Sequence, residues 1–392
     1  MARLLSEIGA RESNRSVEVT LADIATTAPG TLAGRYMRRF WHPVYHSHHL
    51  PPRRAVPIRI MSEDFTLFRG ESGAPYVVAP RCAHRAMVMH AGWVEGDTIR
   101  CFYHGWRYDG QGRCVEQPAE TRPFCDQVAL RAHPTREYLG LVFAYLGDGE
   151  PPEFPRLPMF EGDHLVLNHD SYTRPCHFFN NLENGPDLAH IAFAHGTFGL
   201  WDRLNDNPEI TAKESDWGVT FHARRPSGKR LISQFAMPNM LYARGVPDDP
   251  EVGYREFIAW WVPHDDDRHT QFTIAKKDRG SPVTERYQQR RTEKLKAQDL
   301  DREAIARAIL AGKMTWDEVD QNRVNMIFLQ DDVAQMGVGG IAERPEETLG
   351  QSDIGVVHAR RVWLGDLARF ARGEPTKKWR IDPAKFVVLA EF

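Results

Sequence analysis

Two Cys–His pairs stand close together in a chain of 392 residues with five cysteines: Cys82-x-His84, sixteen intervening residues, then Cys101-x-x-His104. Two thiolates and two imidazoles are the ligand count of a tetrahedral metal site or of a [2Fe-2S] cluster. A structural zinc would take all four groups on one ion. A cluster would divide them, cysteines on one iron and histidines on the other. Zinc fingers place Cys with Cys and His with His, so the alternation favours the cluster. Gly92 and Gly105 would allow the close backbone approach such loops need.

A second constellation lies downstream in "NNLENGPDLAHIAFAHG", which holds Asp187, His190 and His195. Asp187 and His190 are three apart and would share one face of a helix. His190 and His195 are five apart, about 140° around an ideal helix, so their convergence on one metal requires a π-bulge or a helix break. Two histidines and one carboxylate make the facial triad that leaves positions open on a non-haem Fe(II). Without a metal, the same residues would be two half-buried histidines on an amphipathic helix.

The elements that must position these groups change character along the chain. Residues 1–40 read as a short helical segment ending in "GRYMRRFWHPV". From 41 to about 147, β-branched and aromatic runs broken by Gly, Pro and Asp predict short strands. The proline-rich "GDGEPPEFPRLPMF" (147–160) predicts a linker. Beyond it come one helix over "FFNNLENGPDLAHIAFAHG" (178–196), four strand-like runs, helical stretches at 284–335 and a last helix at 356–372. The fold class expected is α+β, a small all-β domain followed by an antiparallel sheet with helices. The divisions are 1–40, 41–155 and 156–392.

Composition limits the partners. Apolar residues make up 42%, charged residues 26%, and the formal charge is −3 with no basic block, which disfavours nucleic acid and anionic membrane surfaces. No run approaches the ~18 apolar residues of a membrane span, and the start of the chain lacks an apolar signal core. Cys114, Cys125 and Cys176 show no pairing logic, so a reducing cytoplasm is expected. "GVGG" at 337–340 lacks the spacing of a dinucleotide fingerprint and reads as a loop. His42, His46, His48 and His49 read as strand or surface histidines, and His264 and His269, flanking "DDD", as solvent-facing. Arg224, Arg225, Arg230 and Arg244 are candidates to anchor an acidic substrate.

The "CxH…CxxHGW" segment resembles a Rieske ferredoxin domain, with Ala83 and Ala86 where many relatives have Pro and Gly. With "N-x-x-D-x-x-H-x₄-H" matched by Asn184, Asp187, His190 and His195, the whole chain resembles the α subunit of a Rieske non-haem iron oxygenase of the phthalate dioxygenase-like branch. The resemblance implies a C-terminal helix-grip catalytic domain and a third iron ligand in "FLQDDVAQ". Asp331 is the better match and Asp332 the alternative. It implies one [2Fe-2S] cluster on Cys82, His84, Cys101 and His104, and one mononuclear Fe(II) on His190, His195 and Asp331. Asp187 corresponds to an acid bridging an iron-ligand and a cluster-ligand His across a head-to-tail homotrimer. The implied activity uses O₂ and electrons from an NAD(P)H-dependent flavin reductase, with or without a separate ferredoxin. The implied substrate is a small aromatic compound, a carboxylate in the preferred reading, that is hydroxylated or dihydroxylated. O-demethylation of a methoxylated aromatic acid is the alternative. Rivals from other classes are a zinc-stapled ligand-binding protein and a pure electron carrier.

Overall fold

Runs such as "PYVV" and "LVFAY" suit a pleated surface, and the turns between them stop each run after a few residues. The structure is a computed structural model describing residues 18–195, 207–228, 230–247, 254–296, 301–321, 326–344 and 347–388. Of the expected N-terminal helical segment, residues 1–17 lie outside the described residues. The remainder contains a 3₁₀ turn at Leu21–Asp23 and one short helix, α1 (Leu32–Met37), capped by the Thr31 hydroxyl.

Three small sheets follow. β1 (Trp41–His46) pairs with β11 (Leu141–Tyr145), which also holds β10 (Thr135–Tyr138). A second sheet runs β2 (Ala55–Ile60), β3 (Glu63–Arg69), β4 (Pro75–Val78) and β9 (Ala132–His133). The third runs β5 (Trp93–Glu95), β6 (Thr98–Arg100), β7 (Arg107–Asp109) and β8 (Cys114–Glu116). The two Cys–His loops leave this third sheet, one before β5 and one between β6 and β7.

The second half is built on one antiparallel sheet of seven strands, ordered β12-β18-β17-β16-β15-β14-β13. They are β12 (Leu165–Arg174), β13 (Glu209–Glu214), β14 (Gly218–Arg224), β15 (Arg230–Ala236), β16 (Met240–Pro247), β17 (Tyr254–Pro263) and β18 (His269–Asp278). Directly paired residues share a face, and successive residues alternate. The face carrying Arg174, His269, Gln271 and Trp261 meets the helices, with Asn181 donating to His269 and Gln271. The opposite face meets the N-terminal β region, where Trp260 lies 5.6 Å from Phe143 and Phe272 lies 5.4 Å from His46, ring centre to ring centre. The sheet thus holds the helix layer and the β region on its two sides, the mixed α+β architecture expected.

Two helices, α2 (Phe178–Asn184) and α3 (His190–Ala194), replace the single helix expected over 178–196. Gly185 still has helical backbone (φ −61°, ψ −46°), but Pro186 lacks the N–H that would carry the ladder on, so α2 ends here. The stretch at 284–335 is also broken, into α4 (Pro282–Lys296), α5 (Arg302–Leu310) and α6 (Met326–Gly337), with 297–300 and 322–325 outside the described residues. α7 (Ile354–Ala371) packs on β13 and β14, and α8 (Pro383–Val388) closes the described chain. No helix among the described residues is long and apolar enough to cross a membrane.

Candidate metal centres

The two Cys–His loops are tied by their own backbones. Cys82 N–H donates to Met87 O at 2.8 Å, and Cys101 N–H donates to Trp106 O at 2.8 Å. Gly105 has φ +76°, and a Cβ there would stand 2.8 Å from Pro118; one on Gly92 would collide with the Arg100 carbonyl at 1.9 Å. Both glycines therefore serve the close approach expected of them. Ala86 sits at φ +57°, a left-handed conformation that costs a non-glycine residue about 1 kcal/mol. The chain tolerates alanine where a glycine would be free of that cost.

The cysteines are buried together. The Cys101 thiol touches that of Cys82, and burial, chiefly, raises its pKa. The imidazoles of His84 and His104 form a second pair with ring centres 4.5 Å apart, nearer the surface. Trp106 stacks on His84 at 4.6 Å with planes 8° apart, and the Tyr108 hydroxyl lies 3.3 Å from Cys82 Sγ. His84 Nδ1 is buried without a protein partner. A single zinc would gather all four donor atoms within roughly 4 Å of one another. Among the described residues, the group of three or more such donors that does converge, within 4.8 Å, lies elsewhere. A sulfur pair beside a nitrogen pair, with one ring nitrogen lacking a partner, fits a [2Fe-2S] cluster ligated by Cys on one iron and His on the other.

That convergent group is His190, His195 and Asp331. Helix α3 is only five residues long, so His190 opens it and His195 stands just past its end at φ −104°, ψ 13°. Terminating the helix, rather than bulging it, brings the rings to 5.2 Å centre to centre. Asp331 on α6 turns Oδ1 toward them, 3.3 Å from His195 Nε2 and 3.9 Å from His190 Nε2. His195 Nδ1 donates to Gln330 Oε1 at 2.9 Å, and His190 Nδ1 donates to the Asp187 carbonyl. Both rings are thereby held with Nε2 facing the gap, the arrangement a metal-binding imidazole needs. Two imidazole nitrogens and a carboxylate oxygen converging here would suit a mononuclear Fe(II) that keeps positions open for other ligands.

Asp187 is not on a shared helix face with His190, a correction to the spacing argument. It lies in the break before α3, where its Oδ1 accepts the Ala189 and His190 N–H groups, both at 3.2 Å. Pro186 forces that break, and a short acceptor is the residue type that satisfies helix-start donors. Its Oδ2 lies 3.8 Å from His190 Nδ1, and its side chain is 29% exposed.

Burial drives the His190 pKa down, although Asp187 and Asp331 oppose it. Burial also pushes on Asp331, but upward. Arg174 and the facing His195 and His190 outweigh it and hold that carboxyl well below the usual range. The contrast with Asp332 is geometric. Asp332 points between Arg174 Nη1, at 2.9 Å, and Arg302 Nε, at 2.5 Å. Arg174 and the orienting role of Gln330 were missed from sequence. Arg174 had no local signal, being distant in the chain, whereas Gln330 stood beside Asp331 in the quoted motif.

Other histidines and arginines depart from expectation. His269 does not face solvent: it is fully buried, Nδ1 donating to the Cys176 carbonyl at 2.9 Å, because its row of the sheet is covered by α2. His264 is half-buried and accepts from Thr270. His42 and His46 are buried strand histidines, while His48 and His49 are exposed. Strand register places Arg224, Arg230 and Arg244 on the sheet face opposite Arg174, so these three cannot reach the Asp331 site. Arg225 lies in the turn beyond β14.

Residues 40–135 match the family model described as the Rieske [2Fe-2S] domain. The chain is 30% identical over 374 residues to the phenoxybenzoate dioxygenase subunit alpha of Ectopseudomonas oleovorans, covering 89% of this chain and 85% of that protein. It is 29% identical over 386 residues to the 5,5'-dehydrodivanillate O-demethylase oxygenase subunit of Sphingobium sp. (strain NBRC 103272 / SYK-6), covering 92% and 82%. The structure of Pseudomonas putida CBB5 NdmA with caffeine shares the fold, with a TM-score of 0.65 at 20% identity over 86% of this chain and 93% of that one. The chain therefore belongs to the Rieske non-haem iron oxygenases, as the oxygenase component of a multicomponent system that uses O₂, a [2Fe-2S] cluster, a mononuclear iron and a reductase partner.

Proposed function

We propose that Cys82, His84, Cys101 and His104 ligate the cluster, that His190, His195 and Asp331 hold the mononuclear iron, and that the enzyme hydroxylates or dihydroxylates a small aromatic carboxylate. The observation that carries this reading is the convergence of three donors within 4.8 Å, two half-buried imidazoles and one buried carboxylate. The iron supplies O₂ activation, using electrons relayed by the cluster. The protein's part is to hold two imidazoles in one tautomer and to present Oδ1 of Asp331 to them. The phenoxybenzoate and dehydrodivanillate relatives, both named for aromatic acids, support the substrate class. A second reading, O-demethylation of a methoxylated aromatic acid, is favoured by the name of the Sphingobium relative.

The working unit in this reading is a head-to-tail homotrimer in the cytoplasm, served by an NAD(P)H-dependent flavin reductase with or without a separate ferredoxin. Segments 1–40, 41–155 and 156–392 are its helical, cluster and catalytic parts. Trp93, Phe102 and Tyr103 are each more than half exposed around the cluster loops, and Phe193 is 54% exposed beside the triad. Apolar surface at both centres supports contact between one subunit's cluster and its neighbour's iron. Asp187, 29% exposed beside His190, is the acid that would link that imidazole to a cluster-ligand imidazole of the neighbouring subunit.

The test is a single turnover. The protein is reduced without oxygen, then mixed with ¹⁸O₂ and a panel of aromatic and methoxy-aromatic acids. Two labelled oxygens in one product establish dihydroxylation, one establishes monohydroxylation, and formaldehyde release establishes O-demethylation. A reducible cluster with no product from any aromatic acid would refute the proposed substrate class.

A further inference from the structure

Arg174 ends β12 with its side chain wholly buried against α6. Its two terminal nitrogens divide between adjacent carboxylates. Nη1 donates to Asp332 Oδ1 at 2.9 Å, and Nη2 donates to Asp331 Oδ2 at 3.0 Å and to the Tyr172 hydroxyl at 3.2 Å. Asp332 is also gripped by Arg302 through Oδ2, so both of its oxygens are bound to guanidinium groups. Asp331 is held differently. Only Oδ2 meets Arg174, while Oδ1 accepts from Asn184 Nδ2 at 3.1 Å and faces the two imidazoles.

We infer that Arg174 is a positioning residue that restricts Asp331 to ligation through Oδ1, keeping Oδ2 out of the iron's coordination sphere. The inference rests on the assignment of His190, His195 and Asp331 as the iron site. A carboxylate ligand free to turn can bind through one oxygen or two, and the second oxygen would occupy a position needed by O₂ or substrate. A charge-assisted hydrogen bond on Oδ2 opposes that turn. The planar fork matters as much as the charge. Asp331 and Asp332 project about 100° apart from α6, and one guanidinium spans both, which a lysine's single nitrogen would not do in the same geometry.

The test uses the full chain with its cluster intact, stripped of mononuclear metal by a mild chelator and titrated with Co(II). Affinity is read by competition with a chromophoric chelator, and ligand number by the intensity of the cobalt d–d bands. The wild type is expected to bind one Co(II) per chain, and His195→Ala to abolish that binding. Arg174→Lys should keep the cluster spectrum, bind Co(II) roughly 10- to 100-fold more weakly, and show weaker d–d bands as Oδ2 joins the metal. Asp332→Asn weakens the other half of the fork without touching Asp331, since an uncharged amide oxygen replaces the carboxylate that Arg174 Nη1 meets, and should shift the bands in the same direction with a smaller loss of affinity. It decides the matter alone if the lysine variant fails to fold. Wild-type affinity and band intensity in both variants would overturn the role of Arg174. Equal binding by the wild type and His195→Ala would instead overturn the site assignment beneath it.

Discussion

Replacing Asp187 with asparagine separates a local from an intersubunit role for this residue. Locally, the carboxylate does little that an amide cannot do. Asn retains an Oδ1 to accept the Ala189 and His190 N–H groups now bound at 3.2 Å, and the two residues cap helices about equally well. His190 Nδ1 donates to the main-chain carbonyl of residue 187, which the substitution leaves in place. What is lost locally is one negative charge beside the first turn of a very short helix, about 0.3–1 kcal/mol, reduced further by partial exposure. Iron affinity should therefore fall by no more than about five-fold. If the charged carboxylate also links two imidazoles across subunits, turnover should fall by more than about 100-fold, or about 2.7 kcal/mol of barrier. The assay compares bound iron by chelator colorimetry, cluster content by absorbance, and the rate of cluster reoxidation when reduced protein meets O₂ and substrate. Turnover per bound iron within about five-fold of the wild type would refute the bridging role and leave Asp187 a helix cap.

Tyr108→Phe should lower the cluster's reduction potential, because the buried hydroxyl 3.3 Å from Cys82 Sγ stabilises added negative charge. A bond worth about 1 kcal/mol corresponds to a shift on the order of 40 mV for one electron, read by an EPR-monitored redox titration, and an unchanged potential would exclude that bond. Stability should fall with acid. Burial lowers the His42 pKa to about 4 and those of His177 and His269 to about 3, below the unfolded value. The unfolded chain therefore takes up protons first, so the stability these neutral rings permit is complete above about pH 6.5 and is lost progressively as pH falls toward 3–4. From pH 7.5 to 5.5 each ring should remove on the order of 1 kcal/mol, a few kcal/mol together. Urea midpoints that stay constant or rise on acidification would refute this, and His269→Gln should flatten the trend by about a third.

The chemistry of both centres was legible in the sequence because it depends on residue type and local spacing. Cys82, His84, Cys101 and His104 lie in two short loops, and their alternation alone favoured a cluster over a zinc. The need for a helix break near His190 and His195 also followed from five-residue spacing, although Pro186 placed the main break earlier and put Asp187 outside the helix. The order of a β region before a sheet-and-helix region could be read from the spacing of turn residues. The tertiary structure alone decided how α6 is rotated: one residue along a helix is a turn of about 100°, so the same "DD" sends Asp331 to the imidazoles and Asp332 to Arg302. Arg174 reaches both from a strand more than 150 residues away in the chain. His269 is buried where its flanking acids suggested solvent, because the face of a strand is assigned by what packs on it. Local spacing marked the candidate ligands; packing across the sheet decided which carboxylate faces the two imidazoles.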